Sequence, residues 1–248
     1  VPKMLFSSNG PLALKWNYIP KMIPWFIHYL KSFNKKSMLH TAKYMHQILN
    51  LSNDAYEEIF KEIDTSKLVE KKGIIYVWTN KNLKSRELEI KVRNDLGIKQ
   101  KLLTQKEILE LEPNLSPVFD AGVIYEDAMH ARDPHGILKE IFKLFLKKGG
   151  KFVQENIKTV QQGNKNEIVM KSEKSEYSFQ KTIIASGAFS KSLTDQLGEK
   201  IPLDTERGYH VHFKNMDHLI SRPVIFLDRG FGMTPMNQGL RAVGTVEL

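Results

Sequence analysis

The stretch from Asp133 to Gly150 constrains the fold of this chain most, because it carries a complete set of signals for one amphipathic helix. The carboxylate of Asp133 can accept hydrogen bonds from free amides at a helix start, and Pro134 suits the first helical position. Gly149 and Gly150 favour a left-handed cap at the end. The predicted apolar face consists of Ile137, Leu138, Ile141, Phe142, Leu144 and Phe145. A helix with one such stripe has to bury it against another layer.

Short strands are predicted after this helix. Extended segments are expected at 151–154, around Ile157, at 167–171 and 175–179 as a hairpin, and at 181–185. This order of helix, strand, hairpin and strand is half of a nucleotide-binding layer. The last segment runs into Ala185-Ser186-Gly187-Ala188, where small side chains let a flat ligand or a pyrophosphate approach the main chain. An ordinary strand-to-helix turn, which needs a glycine for steric reasons alone, is the alternative.

The remainder of the chain divides into a helical first part and a strand-rich last part. Residues 12–33 form an apolar, aromatic stretch that Pro20 and Pro24 interrupt. This pattern predicts two short helices that pack against the rest of the protein. The alternative is a surface that inserts partly into a membrane. Further elements are predicted as helices at 38–64, 83–96 and 104–111, and as strands at 74–78, 209–213, 224–227, 232–235 and 240–248. The last four strands predict an antiparallel meander. Tyr209, Val211 and Phe213 should then share one face of a strand, and two histidines the other.

Composition excludes several classes of site. The chain of 248 residues has no cysteine, which rules out disulfides, thiolate metal sites, iron–sulfur clusters and a cysteinyl flavin link within it, and fits a reducing cytoplasm. Its formal charge of +9 comes from scattered lysines, so solvated faces are favoured over nucleic-acid binding. The eight histidines show no metal-ligand spacing, and no metal is expected. Ser186 is not in a Gly-x-Ser-x-Gly elbow, so no catalytic triad is expected.

Several segments in the same order resemble the D-amino-acid oxidase superfamily, and among its members the D-amino-acid dehydrogenases of the small-subunit type. They are residues 198–211, from Gly-Glu-Lys-Ile-Pro to Gly-Tyr-His-Val, residues 239–247, Asp133-Pro134 and Leu109-Glu110-Leu111-Glu112-Pro113. Together with the tryptophan-rich start they cover nearly the whole chain. The resemblance is therefore more specific than any one motif.

The resemblance implies an α/β fold with an α+β insertion: part of a Rossmann-like FAD-binding layer plus a substrate domain built on an antiparallel sheet. Residues 1–128 would be substrate-domain and connecting helices, 129–200 part of the FAD-binding domain, and 201–248 the substrate-domain sheet. The family's Gly-x-Gly-x-x-Gly phosphate loop does not occur in the sequence, and Gly230-Phe-Gly232 is no substitute because it opens no helix. The later region whose arginine holds the substrate carboxylate is also missing. We therefore expect a fragment that lacks both ends and is inactive alone. We expect the protein in the cytoplasm, and at the inner face of the membrane if the aromatic stretch contacts lipid.

Individual residues take roles only through the resemblance. Main-chain groups of Ile157 would hold the adenine, and Ala185, Ser186 and Gly187 would pass close to the flavin. Met233 and Thr234 would face the substrate; Ile157 as a core strand residue and Met233 as plain packing are the alternatives. No residue of the chain is assigned an acid–base role, and the catalytic residues stay unknown.

The implied function is oxidation of a carbon–nitrogen bond in an amino acid or amine by hydride transfer to FAD, with a quinone or oxygen as the electron acceptor. A sarcosine- or glycine-oxidase-like amine oxidase is the nearest alternative. A non-catalytic basic module for a membrane surface or nucleic acid is the alternative from another class.

Overall fold

The computed structural model describes residues 19–32, 34–79, 83–164 and 167–247. The described residues divide into two compact units, one within 19–58 and 84–98 and the other within 59–83 and 99–247. The helices of the first unit are α1 (Ile19–Ser32), α2 (Lys35–Leu49), α3 (Ser52–Phe60) and α4 (Leu83–Asp95); α3 ends and α4 begins in the second unit.

Helix α1 continues through Pro24, so the prediction that Pro20 and Pro24 divide this stretch into two helices is wrong for the described residues. Pro20 lies in the first turn, where its missing amide has no partner to lose. Pro24 removes one hydrogen bond near the start, and a single such loss does not end the helix. Residues before Ile19 lie outside the described part.

The apolar side chains of α1 to α3 are not buried. Every side chain that the structure describes in these three helices is exposed or half-buried, including Trp25, Ile27 and Leu30. The expectation that this aromatic stretch packs into a core is therefore not met within the described residues. Helices α2 and α3 do confirm the helical prediction for 38–64.

A seven-stranded sheet forms the larger part of the second unit. Its strands are β2 (Ile74–Trp78), β3 (Lys101–Thr104), β4 (Ala121–Tyr125), β9 (Arg207–Lys214), β10 (Val224–Phe226), β11 (Phe231–Met236) and β12 (Gly239–Glu247). They lie in the order β3-β4-β2-β10-β11-β12-β9, and only β2 and β10 run parallel. The predicted meander holds for β10, β11 and β12. Strand β9 instead pairs with β12, because the turn Asp217–Leu219 and the following loop carry the chain across the sheet before β10 begins.

The two faces of this sheet differ in character. One face, the core face, packs under helix α5 (Gln105–Leu111) and the loop after it. Its buried cluster comprises Ile75, Val77, Leu103, Ile108, Leu115, Phe119, Ile124, Ile220, Val224, Phe226 and Leu240. The predicted capping box of α5 is present: Thr104 accepts from the Glu107 amide, and the Glu107 side chain accepts from the Thr104 amide. The other face, called the second face below, carries Tyr76, Val123, Ile225, Gly232, Thr234, Arg241, His210 and His212, since directly paired residues share a face.

An ion pair between a buried carboxylate and a half-buried guanidinium joins the core-face layer to the sheet. The side chain of Glu112 is 2% exposed and accepts from the Ser221 amide at 2.8 Å and from Arg222 Nε at 3.0 Å. Arg222, whose side chain is 16% exposed, also donates to the Lys72 carbonyl at 2.8 Å. The end of α5, the segment before β10 and the turn before β2 are thereby held together.

The remaining elements of the second unit lie on either side of helix α6 (Pro134–Lys147) in the sequence. Before it, the two-residue strands β1 (Val69–Glu70) and β5 (His130–Ala131) pair antiparallel. After it, β6 (Thr159–Gln162), β7 (Ile168–Lys171) and β8 (Glu176–Phe179) form an antiparallel sheet, which confirms the predicted hairpin. Asp133 caps α6 through the Gly136 amide, as predicted.

Residues 181–185 do not form the predicted strand. They are extended, but a strand requires a neighbour to pair with, and none lies beside them in the described part of the chain. The consequence is exposure of apolar side chains: Ile183 is 90% exposed.

Arg132 links the start of α6 to the turn between β11 and β12. Its guanidinium donates to Asp217 Oδ2 and to Asn237 Oδ1, each at 3.0 Å. Its Nη1 lies 3.5 Å from Glu70 Oε1. The Asn237 amide donates back to the Arg132 carbonyl at 3.0 Å. His130, which is buried, stands opposite Glu70 in the pairing of β1 and β5.

We expect Glu112→Ala to lower the free energy of unfolding by about 3 kcal/mol, because it leaves the half-buried guanidinium of Arg222 without its carboxylate. Urea unfolding measures this change. Glu110→Ala, which removes an exposed carboxylate from the same helix, is the control and should change the value by less than about 0.5 kcal/mol. Equal effects of the two substitutions on the free energy of unfolding would contradict a stabilising role for the Glu112–Arg222 ion pair.

Burial lowers the pKa of His130 below its ordinary value of 6.5; the Glu70 carboxylate opposes this shift, while Arg132 and Lys72 add to it. The unfolded chain therefore takes up the proton first as pH falls. We expect stability to be full above the ordinary pKa and to decline as pH falls through it. His130→Gln should remove this pH dependence, and His135→Gln, at an exposed position, should keep it. The test is to measure the free energy of unfolding of the two variants and of the wild type at pH values above and below the ordinary histidine pKa.

Candidate functional site

One side chain, that of Gln196, joins the start of β6 to a turn downstream of Gly187. Gln196 belongs to the 3₁₀ turn Asp195–Leu197, which follows helix α7 (Ser190–Thr194). Its Oε1 accepts from the Val160 amide at 3.1 Å, and its Nε2 donates to the Lys158 carbonyl at 3.2 Å. Ile157, which is half-buried, lies next to Lys158 and two residues before β6. Sequence reasoning missed Gln196, because a glutamine in a short turn carries no recognisable signal.

Two extended segments precede, in the sequence, the two elements that Gln196 joins. Residues 151–157 and 181–186 pair with no strand in the described ranges. Phe152, Val153 and Ile183 are exposed along them. Backbone that pairs with no strand, beside apolar side chains, suits a large, flat ligand that has polar edges and an aromatic surface. The arrangement therefore fits the expected dinucleotide.

Gly187 opens the 3₁₀ turn Gly187–Phe189 with a φ of +56°, a conformation that side chains with a Cβ rarely adopt. The turn is closed by the Phe189 amide donating to the Ser186 carbonyl at 3.1 Å, and Ser190 Oγ accepts from the Ser186 amide at 3.1 Å. A Cβ at position 187 would meet no atom within 4 Å. The glycine is thus required by the backbone, and the space in front of it is open. Ala185 and Ser186 are exposed beside it.

Met233 and Thr234 are neighbours on β11, so their side chains point to opposite faces of the sheet. Met233 packs against the buried cluster of the core face. Thr234 lies on the second face, directly opposite Arg241 of β12. A ligand on one face of the sheet can contact only one of the two side chains. The sequence-based prediction that both face the substrate did not take this into account.

Strand β9 confirms the predicted alternation. The rings of His210 and His212 lie 5.2 Å apart on one face, which leaves Tyr209, Val211 and Phe213 on the other. Both histidines share the second face with Arg241, which sequence reasoning did not single out although it lies within the family-like segment 239–247. Within the described ranges, no cluster of three or more His, Asp or Glu could hold a metal ion. Of the helices described, none has the length and apolar content to cross a membrane.

Comparison with known proteins gives a consistent result. The family model DAO, described as FAD dependent oxidoreductase, matches residues 20–248. A D-amino-acid oxidase of Bradyrhizobium diazoefficiens is 30% identical over 249 residues, which cover all of this chain and 59% of that protein. A D-amino acid dehydrogenase of Vibrio atlanticus is 22% identical over 252 residues, or 99% of this chain and 60% of that protein. This chain therefore spans about three fifths of the length of these relatives.

A solved structure shows a similar fold. Glycine oxidase from Geobacillus kaustophilus superposes with a TM-score of 0.67 and 17% identity, over 87% of this chain and 57% of that one. The predicted fold class, a mixed α/β architecture with an antiparallel sheet, is confirmed by this similarity and by the elements described above.

We expect Gly187→Ala to destabilise the chain by about 1 kcal/mol, because the new Cβ resists the positive φ although it has room. Gly208→Ala is the matched control: it also meets no neighbouring atom, but its φ is not positive. Urea unfolding of both variants measures the difference. In the full-length protein, FAD affinity should fall further from Gly187→Ala to Gly187→Val. Normal affinity in both folded variants would make the turn purely structural.

Proposed function

The chain belongs to the DAO family of FAD dependent oxidoreductases, and from this premise we propose that the full-length protein oxidises the carbon–nitrogen bond of an amino acid. A D-amino acid is the first substrate to test, because the relative that is 30% identical is a D-amino-acid oxidase. Hydride leaves the α carbon, the nitrogen loses its proton, and water hydrolyses the resulting imine to a 2-oxo acid and ammonium. FAD supplies the hydride acceptor in this chemistry.

The single observation that carries the proposal is the extent of the family match, which begins at residue 20 and runs to residue 248. The extended segments 151–157 and 181–186, which pair with no strand among the described residues, and the open space in front of Gly187 support it. In this proposal the main chain of Ile157 holds the adenine, and Ala185, Ser186 and Gly187 lie against the flavin. These residues bind and orient the cofactor, and no proton transfer is assigned to them.

We assign the substrate side to the second face of the seven-stranded sheet, with Thr234 as a contact and Met233 as packing beneath it. The division into 1–128, 129–200 and 201–248 stays a proposal. It is supported by the sheet itself, since β2, β3 and β4 from the first range join β9 to β12 from the last. The small sheet and α6 come from the middle range.

The electron acceptor separates two variants of this function. A quinone acceptor would suit peripheral contact with the inner face of a membrane, and the exposed apolar side chains of α1 support such a contact. Oxygen would make the protein an oxidase, and a glycine-oxidase-like amine oxidase is the corresponding alternative, with a glycine oxidase among the structural neighbours. The basic charge alone does not favour the nucleic-acid alternative, because the lysines are scattered.

We expect the full-length protein to purify with the absorption of bound flavin and to release ammonia and a 2-oxo acid from D-alanine or a larger D-amino acid. Oxygen uptake compared with reduction of a quinone-like dye identifies the acceptor. Gly187→Val should lose the flavin absorption, and the exposed control Gly208→Ala should keep it. A colourless protein that takes up no added FAD would show that the proposed function is wrong.

A further inference from the structure

The positive charge of the chain is concentrated in its first part. Residues 1–53 contain seven of the 37 Lys and Arg residues and none of the 28 Asp and Glu residues. They therefore carry +7 of the formal charge of +9. The lysines are scattered along this segment, but their charges add because no acidic neighbour offsets them. This part of the chain attracts anionic partners.

Helix α1, within this segment, has an exposed apolar side. Ile23, Ile27 and Leu30 follow each other at intervals of four and three residues and therefore share one side of the helix. Their side chains are exposed, and so is that of Trp25, whose ring stacks on Tyr29 with 5.3 Å between the ring centroids. Trp and Tyr are enriched where membrane proteins meet the boundary between lipid and water. Helix α1 thus has the composition of a helix that lies in this boundary.

Helix α2 carries apolar residues on one side and lysines on the other. Met38, Met45 and Leu49 lie on one side, because they are seven and four residues apart. Lys36 and Lys43, also seven residues apart, lie on the opposite side. All five side chains are exposed. This division is typical of helices that lie along an anionic membrane, with the apolar side towards the acyl chains and the lysines among the headgroups.

An anionic bilayer matches this surface better than a nucleic acid does. Nucleic-acid phosphates would pair with the lysines but would leave aliphatic side chains such as Ile27 and Leu49 uncovered, since binding without sequence preference uses basic and aromatic side chains. A bilayer presents anionic headgroups directly above an apolar layer, so it satisfies both sides of each helix. A further segment of the full-length protein is the other candidate occupant, and the test below separates it from lipid.

We propose that α1 and α2 form a docking surface for anionic phospholipid bilayers. The two helices have 14 and 15 residues, fewer than the about 20 that a membrane span needs, so each would lie along the bilayer surface. This inference deepens the quinone variant of the proposed function and rests on it only for its physiological role, since such a bilayer holds lipid-soluble quinones. The binding itself needs neither substrate nor flavin.

The test is cosedimentation of the full-length protein with vesicles of phosphatidylcholine alone and with vesicles that also contain phosphatidylglycerol. The wild type should bind the anionic vesicles more tightly, and added salt should weaken this binding because it screens the lysines. Lys36→Gln combined with Lys43→Gln should weaken binding to the anionic vesicles by about 10- to 30-fold. Leu49→Ser should weaken it by about 10-fold, because an apolar side chain is lost from the lipid boundary.

Helix α6 in the other unit supplies matched controls. Lys139→Gln combined with Lys147→Gln makes the same change of charge, and Leu138→Ser makes the same apolar-to-polar change. All three positions are exposed. Both controls should bind the anionic vesicles as the wild type does, because the proposal places lipid on α1 and α2 alone.

The outcomes separate lipid from the other occupants. Absence of wild-type binding to the anionic vesicles, or equal binding to both kinds of vesicle, would overturn the proposal. A lower melting temperature of Leu49→Ser, without vesicle binding, would show that another segment of the protein covers this surface. Binding of RNA that depends on Lys36 and Lys43 but not on Leu49, again without vesicle binding, would assign the surface to nucleic acid.

Failure of this inference is also distinguishable from failure of the proposed function. A flavin-containing protein that releases ammonia from a D-amino acid but binds no anionic vesicles would overturn the docking surface and leave the proposed function standing. A colourless protein that takes up no FAD but binds these vesicles through Lys36, Lys43 and Leu49 would remove the proposed function and leave the docking surface. Vesicle binding that weakens in the α2 variants and not in the α6 controls is the expected result.

Discussion

The structure of the larger unit depends on the alternation of side chains between the two faces of the seven-stranded sheet, which repeats every two residues along each strand. Each strand sends alternate side chains to opposite faces, and direct pairing keeps the residues of each row on one face across the strands. The core face is closed by α5, which Glu112 and Arg222 join to the sheet through an ion pair. The second face carries Thr234, Arg241, His210 and His212 beside apolar residues such as Val123 and Ile225. A shift of β11 by one residue would move Met233 out of the core and Thr234 into it, so packing and binding chemistry are set by the same register.

Much of the fold was predictable because the signals were local. Asp133, Pro134 and Gly149 specify the limits of α6 within its own sequence, and Thr104 with Glu107 does the same for α5. The strands of the last part were recognisable from their alternation. The family resemblance added the identity of the layers, which no local pattern contains.

The errors share a physical cause, which is that strands and sites are made by partners distant in sequence. The segment 181–185 has the composition of a strand but lacks a neighbour among the described residues. The position of β9 beside β12 depends on a crossover that no turn signal reveals. The sequence analysis did not single out Arg241, because its buried Nε and its position opposite Thr234 depend on residues of other strands. Pro24 was overinterpreted, because one missing amide near a helix start is tolerated.

Among the described strands, β9 ends one side of the seven-stranded sheet, and every one of its eight residues is exposed. An edge strand of this kind can pair with another extended chain, and the apolar side chains of Val211 and Phe213 on one of its faces add contact area. Two features restrain it: Arg207 and Lys214 place a charge at each end, and the irregular pairing around Gly244 of β12 distorts the ladder near one end. Edge-to-edge pairing of this chain would therefore be expected to increase with salt concentration, because salt screens the two charges that oppose it.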